Sequence, residues 1–220
     1  MAHKEWSKTT ISSILISILS KIAGAWKVSV VVGSTATFFS LANCITPLAG
    51  AFGGISGALS ASLCLLAIKC VLGSFTLKSL LVYHLPTLCA SLALAKSTRL
   101  VRVGLFALSI LLFSLHHVGS QALIYSALWI LPMLAELLIE RFYLARAFSA
   151  TMVAHAVGSL AFLYIQPMTP GFWIALTPLA LVERVIFALG ITAVYQTVQI
   201  CSRLFVRSTV ITAVTSQEHN

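Results

Sequence analysis

The chain has 220 residues, of which 59% are hydrophobic and only 9% are charged. A soluble domain of this size needs far more charge to cover its surface, so the composition excludes a soluble globular protein. Fourteen Lys and Arg against five Asp and Glu give a net charge of +9. These charges are spread between apolar segments, which argues against a nucleic-acid partner and for orientation in a lipid bilayer.

Two uncharged runs predict the fold class. Residues 28–68 and 103–135 contain no Asp, Glu, Lys or Arg, and each is longer than the ~20 residues that one spanning helix needs. Strand-type alternation is absent, so a transmembrane barrel is not predicted. We therefore expect an all-α, multi-pass helical bundle of about six to seven transmembrane helices in the inner (plasma) membrane.

The first 27 residues predict an amphipathic helix that is cytosolic or lies in the membrane interface. Apolar residues recur at steps of three and one between Ile11 and Ile22, while serines and Lys21 fall mainly on the other side. The alternative is a short first span. This segment, 1–27, precedes a single transmembrane domain at 28–200 and a cytosolic C-terminal tail at 201–220.

The composition of residues 28–54 disfavours one uninterrupted helix, because the segment contains Gly, Asn, Thr and Pro. We predict a helix to about Ser40 and then a break or re-entrant turn at 43–47. Backbone may be irregular at membrane depth where protein buries it or where it lines a cavity.

The later spans are predicted at 55–72, 79–95, 103–124, 127–140, 147–165 and 172–199. Basic residues in the loops between them and beyond the last span fall on one side if the helices alternate, which predicts a cytosolic C-terminus. Lys69 and Lys78 lie on the opposite side, near span ends where a lysine can extend to the interface.

A near-repeat concentrates the unusual polar residues in one half of the chain. The frame His-x-Val-Gly-Ser-x-Ala-x-x-Tyr begins at His116 and again at His155. A Glu-Arg pair follows each copy, at 140–141 and at 183–184. This pattern predicts a duplicated helical hairpin, 103–146 and 147–195, with the two histidines at comparable depth.

Ionisable and hydrogen-bonding side chains within spans either pair with one another or line a polar path. The alternative role is helix packing through internal ion pairs and hydrogen bonds. No metal or cofactor is expected, since no His, Cys or carboxylate spacing is typical of a metal site. The predicted substrate-binding residues are His116, His155, Tyr125, Tyr164, Glu136, Glu183, Asn43 and His84.

No hydrolase, metalloprotease or phosphate-binding motif is present, so we predict that the protein is not an enzyme. An intramembrane serine hydrolase using Ser120 or Ser159 would lack the small-residue turn that a serine nucleophile normally occupies. Small residues at four-residue spacing instead predict close helix packing or a docking face for a partner subunit. These residues are Gly50, Gly53, Gly54, Gly57 and Ala58.

The segment from Phe39 to Leu59, FSLANCITPLAGAFGGISGAL, resembles the S components of energy-coupling-factor (ECF) transporters. In that family a polar segment runs into a Pro- or Gly-rich turn and then a small-residue helix. The resemblance implies a substrate-binding subunit of an importer for a small polar nutrient, such as a vitamin or its precursor. It also implies a transmembrane T subunit and ATPase subunits as partners, docked on the small-residue helix.

Two other functions fit the same residues. In a stand-alone secondary transporter, His116, His155, Glu136 and Glu183 would couple protons to the substrate. In a non-transporting structural or assembly protein, the same side chains would serve only helix packing.

Overall fold

A computed structural model describes residues 14–29, 39–95, 99–138 and 141–217 of the chain. The described part is all-α apart from one short antiparallel ribbon, β1 (Lys27–Ser29) with β2 (Phe39–Ser40). The helices are α1 (Ile14–Ala23), α2 (Ala42–Ile45), α3 (Leu48–Val71), α4 (Leu77–Leu94), α5 (Arg99–Leu115), α6 (Leu123–Ala135), α7 (Tyr143–Ile165) and α8 (Pro170–Gln217).

Four of these helices are long and apolar enough to cross a membrane, counting only the described residues: α3, α4, α7 and the Pro170–Phe205 part of α8. α5 has 17 residues, and α6 consists of two short pieces, Leu123–Ala127 and Ile130–Ala135. The structure therefore shows the predicted all-α class with four long apolar helices.

The long helices alternate in direction. The Gly50 amide at the start of α3 donates to Ser91 Oγ near the end of α4 (2.9 Å), whereas Lys69 Nζ near the end of α3 donates to Ser79 Oγ (2.7 Å). Arg146 near the start of α7 donates to the Leu94 carbonyl. The bundle thus has a Leu94 end and, opposite it, a Lys69 end.

An aromatic cluster fills the space where α5, α6 and α8 meet. The Phe113 ring makes edge-to-face contacts with Trp129 and Trp173, at centroid distances of 5.5 and 5.3 Å. It also stacks on Tyr125 at 5.4 Å. Such pairs add packing energy beyond the area they bury, so this cluster fixes the three helices against one another.

The described ends of the segment 28–54 differ from the predicted helix. Lys27–Ser29 and Phe39–Ser40 pair as strands, so the prediction of a helix to about Ser40 is wrong there; 30–38 lie outside the described residues. Of the break predicted at 43–47, residues 43–45 are helical in α2, and the interruption is confined to Thr46 and Pro47, between α2 and α3. α3 is itself interrupted at Gly54, whose φ of 63° and ψ of −153° are non-helical.

The predicted span 103–124 ends early. α5 stops at Leu115, and the chain turns back through a 3₁₀ segment, Gly119–Gln121. A Cβ at Gly119 would lie 1.9 Å from the Phe113 carbonyl oxygen, so the turn requires glycine there. The close contact between Gly119 and the Phe113 backbone therefore ends the helix within the apolar run 103–135, and a hydropathy pattern does not reveal such a contact.

The amphipathic helix predicted near the N-terminus is present from Ile14 to Ala23, and residues 1–13 lie outside the described part. Its serine face is turned inward, with Ser17 and Ser20 buried. Ser17 Oγ donates to the Ala61 carbonyl of α3 (3.3 Å). The apolar face points away from the bundle: Ile14, Leu15, Ile18, Leu19 and Ile22 are all exposed.

Candidate binding cavity

A cavity of about 620 Å³ lies between α1, α3, α4, α7 and α8. Along α4 its lining extends from Val82 to Ala90, which at 1.5 Å per residue corresponds to a depth of about 12 Å. This volume is in the range of pockets that enclose a small organic molecule.

Aromatic side chains form much of the cavity wall. Trp173 and Phe172 from α8 and Phe162 from α7 line it, together with Tyr125 from α6. Trp173 is held in place by the Tyr125 ring, at a centroid distance of 4.7 Å. Trp173 and Tyr125 are only 1% exposed, so the accessible aromatic surface comes from Phe162 and Phe172, with the aromatic cluster behind it.

Five side chains that line the cavity carry a buried polar atom with no hydrogen-bond partner among the described residues. Buried polar groups in folded proteins are nearly always hydrogen-bonded, so each exception needs an explanation. Two further atoms of this kind, Trp129 Nε1 and Tyr143 Oη, belong to side chains that do not line the cavity. The five atoms on cavity-lining residues are Ser20 Oγ, His84 Nε2, His155 Nε2, Trp173 Nε1 and Glu183 Oε1, and a bound molecule is one way to satisfy them.

An ion pair lies at the Leu94 side of the cavity. Arg184 Nη2 approaches Glu183 Oε2 at 3.4 Å, and both side chains are buried. The Arg184 guanidinium also lies over the Phe187 ring, 4.9 Å from its centroid. The attraction between the two charges offsets part of the cost of burying them. Glu183 Oε1 has no hydrogen-bond partner among the described residues.

Tyr125 and His155 form a second polar group beside this ion pair. The Tyr125 hydroxyl and Ser159 Oγ are 2.8 Å apart and hydrogen-bonded. The His155 ring lies 5.4 Å from the Tyr125 ring. Packing against Tyr125 fixes the imidazole, so His155 Nε2 is held in one position at the cavity.

Five of the eight predicted substrate-binding residues line this cavity: His155, Tyr125, Glu183, Asn43 and His84. The structure brings them together from α2, α4, α6, α7 and α8. The other three, His116, Tyr164 and Glu136, lie elsewhere.

His116 and Tyr164 contact each other outside the cavity, with ring centroids 4.9 Å apart. The Tyr164 hydroxyl donates to the Leu112 carbonyl (3.0 Å). The two residues border a separate pocket, together with His117 and Gln166. They do not share a site with His155.

Glu136 belongs to an ion pair toward the Leu94 end. Its carboxylate accepts from Arg102 Nε (2.9 Å) and Arg102 Nη2 (2.8 Å), and Ser149 Oγ donates to it at 2.6 Å. The Arg102 and Glu136 side chains are buried. With three donors on its two oxygens, Glu136 has a structural role in linking α5, α6 and α7.

The two copies of the sequence repeat adopt different structures. The first, from His116, forms a turn and a 3₁₀ segment before Tyr125, whereas the second, from His155, lies entirely within α7. The histidines therefore occupy different environments: His155 is buried, whereas His116 is partly exposed.

The small-residue stripe contributes to packing inside the protein. Gly50, Gly57 and Ala58 are buried, whereas Gly53 and Gly54 are partly exposed. A Cβ at Gly50 would lie 1.7 Å from the Ser91 carbonyl oxygen, so this glycine allows α3 and α4 to touch.

Two lysines at the cavity were not among the predicted site residues. Lys21 on α1 and Lys69 on α3 both line it. Lys69 Nζ donates to Ser79 Oγ and lies 5.7 Å from the Tyr83 ring centroid. One feature of the sequence could have indicated Lys21 as a cavity residue: it lies on the serine face of an otherwise apolar helix.

Residues that could hold a metal ion do not cluster in the described part of the chain, where no group of three or more His, Cys, Asp or Glu occurs. Comparisons with protein-family models, with curated proteins and with solved structures found no match to this chain.

Proposed function

We propose that this protein is the substrate-binding subunit of an ECF-type importer and takes a small polar nutrient, such as a vitamin or its precursor, into the central cavity. One observation supports the binding part of this proposal: five residues with a buried polar atom that lacks a partner among the described residues line a single cavity. The importer part rests on the resemblance of residues 39–59 to S components. Flat apolar surface together with a few fixed polar groups is typical of small-molecule sites.

The distribution of charge supports the proposed direction of uptake. Arg99, Arg102, Arg141 and Arg146 belong to the Leu94 end, which the positive-inside rule makes cytosolic. If α5 and α6 also cross, the bundle has six crossings. The cavity would then reach toward the outer face, and the energy for release inward would come from the T subunit and the ATPase subunits.

Binding should depend on His155. In a thermal-shift screen of metabolites with the full chain in lipid nanodiscs, we expect a compound that raises the melting temperature. His155→Gln should weaken its binding by roughly tenfold, since one hydrogen bond in a buried site is lost or misplaced. His117→Gln, an exposed histidine outside the cavity, is the matched control and should leave the affinity unchanged.

Two results would contradict this proposal. If no metabolite binds, the packing role of a structural protein is favoured. If a metabolite binds equally well to the wild type, to His155→Gln and to a Trp173 variant, the ligand site lies elsewhere.

A second candidate function is that of a proton-coupled transporter acting alone. It is favoured by His155 and Glu183, which line the same cavity with a nitrogen and an oxygen available to exchange protons. Proteoliposomes distinguish the two. Uptake that proceeds without ATP and stops when the proton gradient is collapsed would support this candidate and contradict the importer subunit.

A further inference from the structure

The cavity carries more positive than negative charge. Its charged lining residues are Lys21, Lys69, Arg184 and Glu183. Glu183 is paired with Arg184, its neighbour on α8. The described parts of the chain contain two ion pairs, Arg102–Glu136 and Arg184–Glu183. Neither Lys21 nor Lys69 lies within ion-pair distance of a carboxylate of the described residues.

The lysine charges are concentrated at the Lys69 end. Lys69 Nζ lies 5.7 Å from the ring centroid of Tyr83, the neighbour of His84 on α4, and Lys21 lines the same cavity from α1. The charges of Lys21 and Lys69 interact, as do those of Lys69 and His84. Lys69 is partly buried and is held by a hydroxyl and an aromatic ring, neither of which neutralises it. Lys21 is exposed and Lys69 is half-buried. Like charges near one another repel, so an anion placed between the two lysines would be favoured.

The rest of the cavity lining favours other features in a ligand than negative charge. Phe172 and Phe162 provide apolar surface along the wall. His155 and Glu183 line the cavity nearer the Leu94 end, where Thr151 Oγ1 on α7 donates to the Arg184 carbonyl of α8 (3.3 Å). A ligand that satisfies all three regions has an acidic group at one end, a planar body and a polar group at the other end.

We propose that the solute is a small organic anion with a planar apolar body, its carboxylate or phosphate held between Lys21 and Lys69 beside His84. This inference rests on the proposed binding function of the cavity and specifies the chemical class of its ligand. Arg184 remains with Glu183, while the two lysines supply the charge that the ligand neutralises.

Three probes with the same ring test the inference: indole-3-acetate, indole-3-acetamide and tryptamine are anionic, neutral and cationic at neutral pH. Their affinities for the full chain in nanodiscs can be measured by saturation-transfer NMR and titration calorimetry. We expect the anion to bind roughly tenfold or more tightly than the amide, because a hydrogen bond to a charged group is stronger than a neutral one. Tryptamine should bind most weakly.

Lys69→Gln should remove the preference, lowering the affinity for indole-3-acetate by roughly tenfold while leaving that for the acetamide unchanged. Lys69→Arg keeps the charge and should retain the preference. Lys78→Gln is the matched control, since Lys78 is exposed near the same end of the bundle and does not line the cavity.

The outcomes separate this inference from the proposed function. Equal or tighter binding of the amide or of tryptamine, a preference that survives Lys69→Gln, or no binding of any of the three probes would overturn the inference. A cationic or neutral hit in the metabolite screen that depends on His155 would also overturn it while supporting the binding function.

Discussion

Glu136→Ala should lower the free energy of unfolding by about 3 to 5 kcal/mol, the largest loss that we expect from any single substitution. The carboxylate accepts two hydrogen bonds from Arg102 and one from Ser149 at a buried site. Its removal deprives the buried Arg102 guanidinium of this carboxylate, and breaking a buried ion pair by removing one partner is strongly destabilising. Thermal or denaturant unfolding in detergent micelles would measure the loss.

The double substitution Arg102→Leu with Glu136→Leu should recover much of this stability, because it removes both charges together. Arg99→Ala serves as the control, because Arg99 lies on α5 like Arg102 but is exposed. It should change the free energy of unfolding by less than about 0.5 kcal/mol. If Glu136→Ala were no more destabilising than Arg99→Ala, the ion pair would have no structural role.

Gly50→Ala should separate α3 from α4 and cost about 3 kcal/mol or more, at the upper end of what overpacking costs. The added Cβ would meet the Ser91 carbonyl oxygen at 1.7 Å and its carbon at 2.6 Å. Both are backbone atoms, so no change of side-chain rotamer relieves the overlap and the helices themselves must move. The hydrogen bond from the Gly50 amide to Ser91 Oγ would be lost with them.

Gly104→Ala is the matched control for this substitution. Gly104 lies within α5, and a Cβ there would meet nothing within 4 Å. Alanine should therefore be neutral or slightly stabilising, because it has the higher helix propensity. Melting temperatures of the two variants in the same detergent would test the contrast, and equal melting temperatures would show that α3 and α4 are not in close contact at Gly50.

Hydropathy was enough to predict the all-α class and most of the long helices. α4, α7 and the start of α8 lie within a few residues of the predicted spans, because long apolar runs bounded by charge or Pro leave few alternatives. The break at Thr46 and Pro47 also follows from the sequence, since Pro cannot continue a helix through its own amide. These features depend on neighbouring residues alone.

Tertiary contacts decided the features that the sequence did not reveal. Arg102 and Glu136 are 34 residues apart, so their pairing depends on how α5 packs against α6. Similarly, the repeat places His116 and His155 in equivalent sequence positions, but the turn at Gly119 gives the first copy a different backbone. Two similar short motifs therefore acquired different structures.

Lys69 shows why the sequence did not predict every residue that lines the binding cavity. Near the end of an apolar span, a lysine that reaches the interface and a lysine that faces a cavity have the same sequence context. Only the packing of α3 against α4, which sets Lys69 beside Ser79 and Tyr83, distinguishes them. Sequence periodicity identifies a polar face but does not identify what that face meets.

The inward serine face of α1 has a consequence for how that helix is retained. Its buried residues are Ser17, Ser20 and Ala23, whereas Ile14, Leu15, Ile18, Leu19 and Ile22 face outward. In a bilayer those outward side chains contact lipid whether α1 is docked or displaced, so they contribute little to docking. The attachment of α1 therefore rests on small side chains and on contacts such as the hydrogen bond from Ser17 to Ala61. Detachment of the described part of α1 would therefore sacrifice little apolar packing.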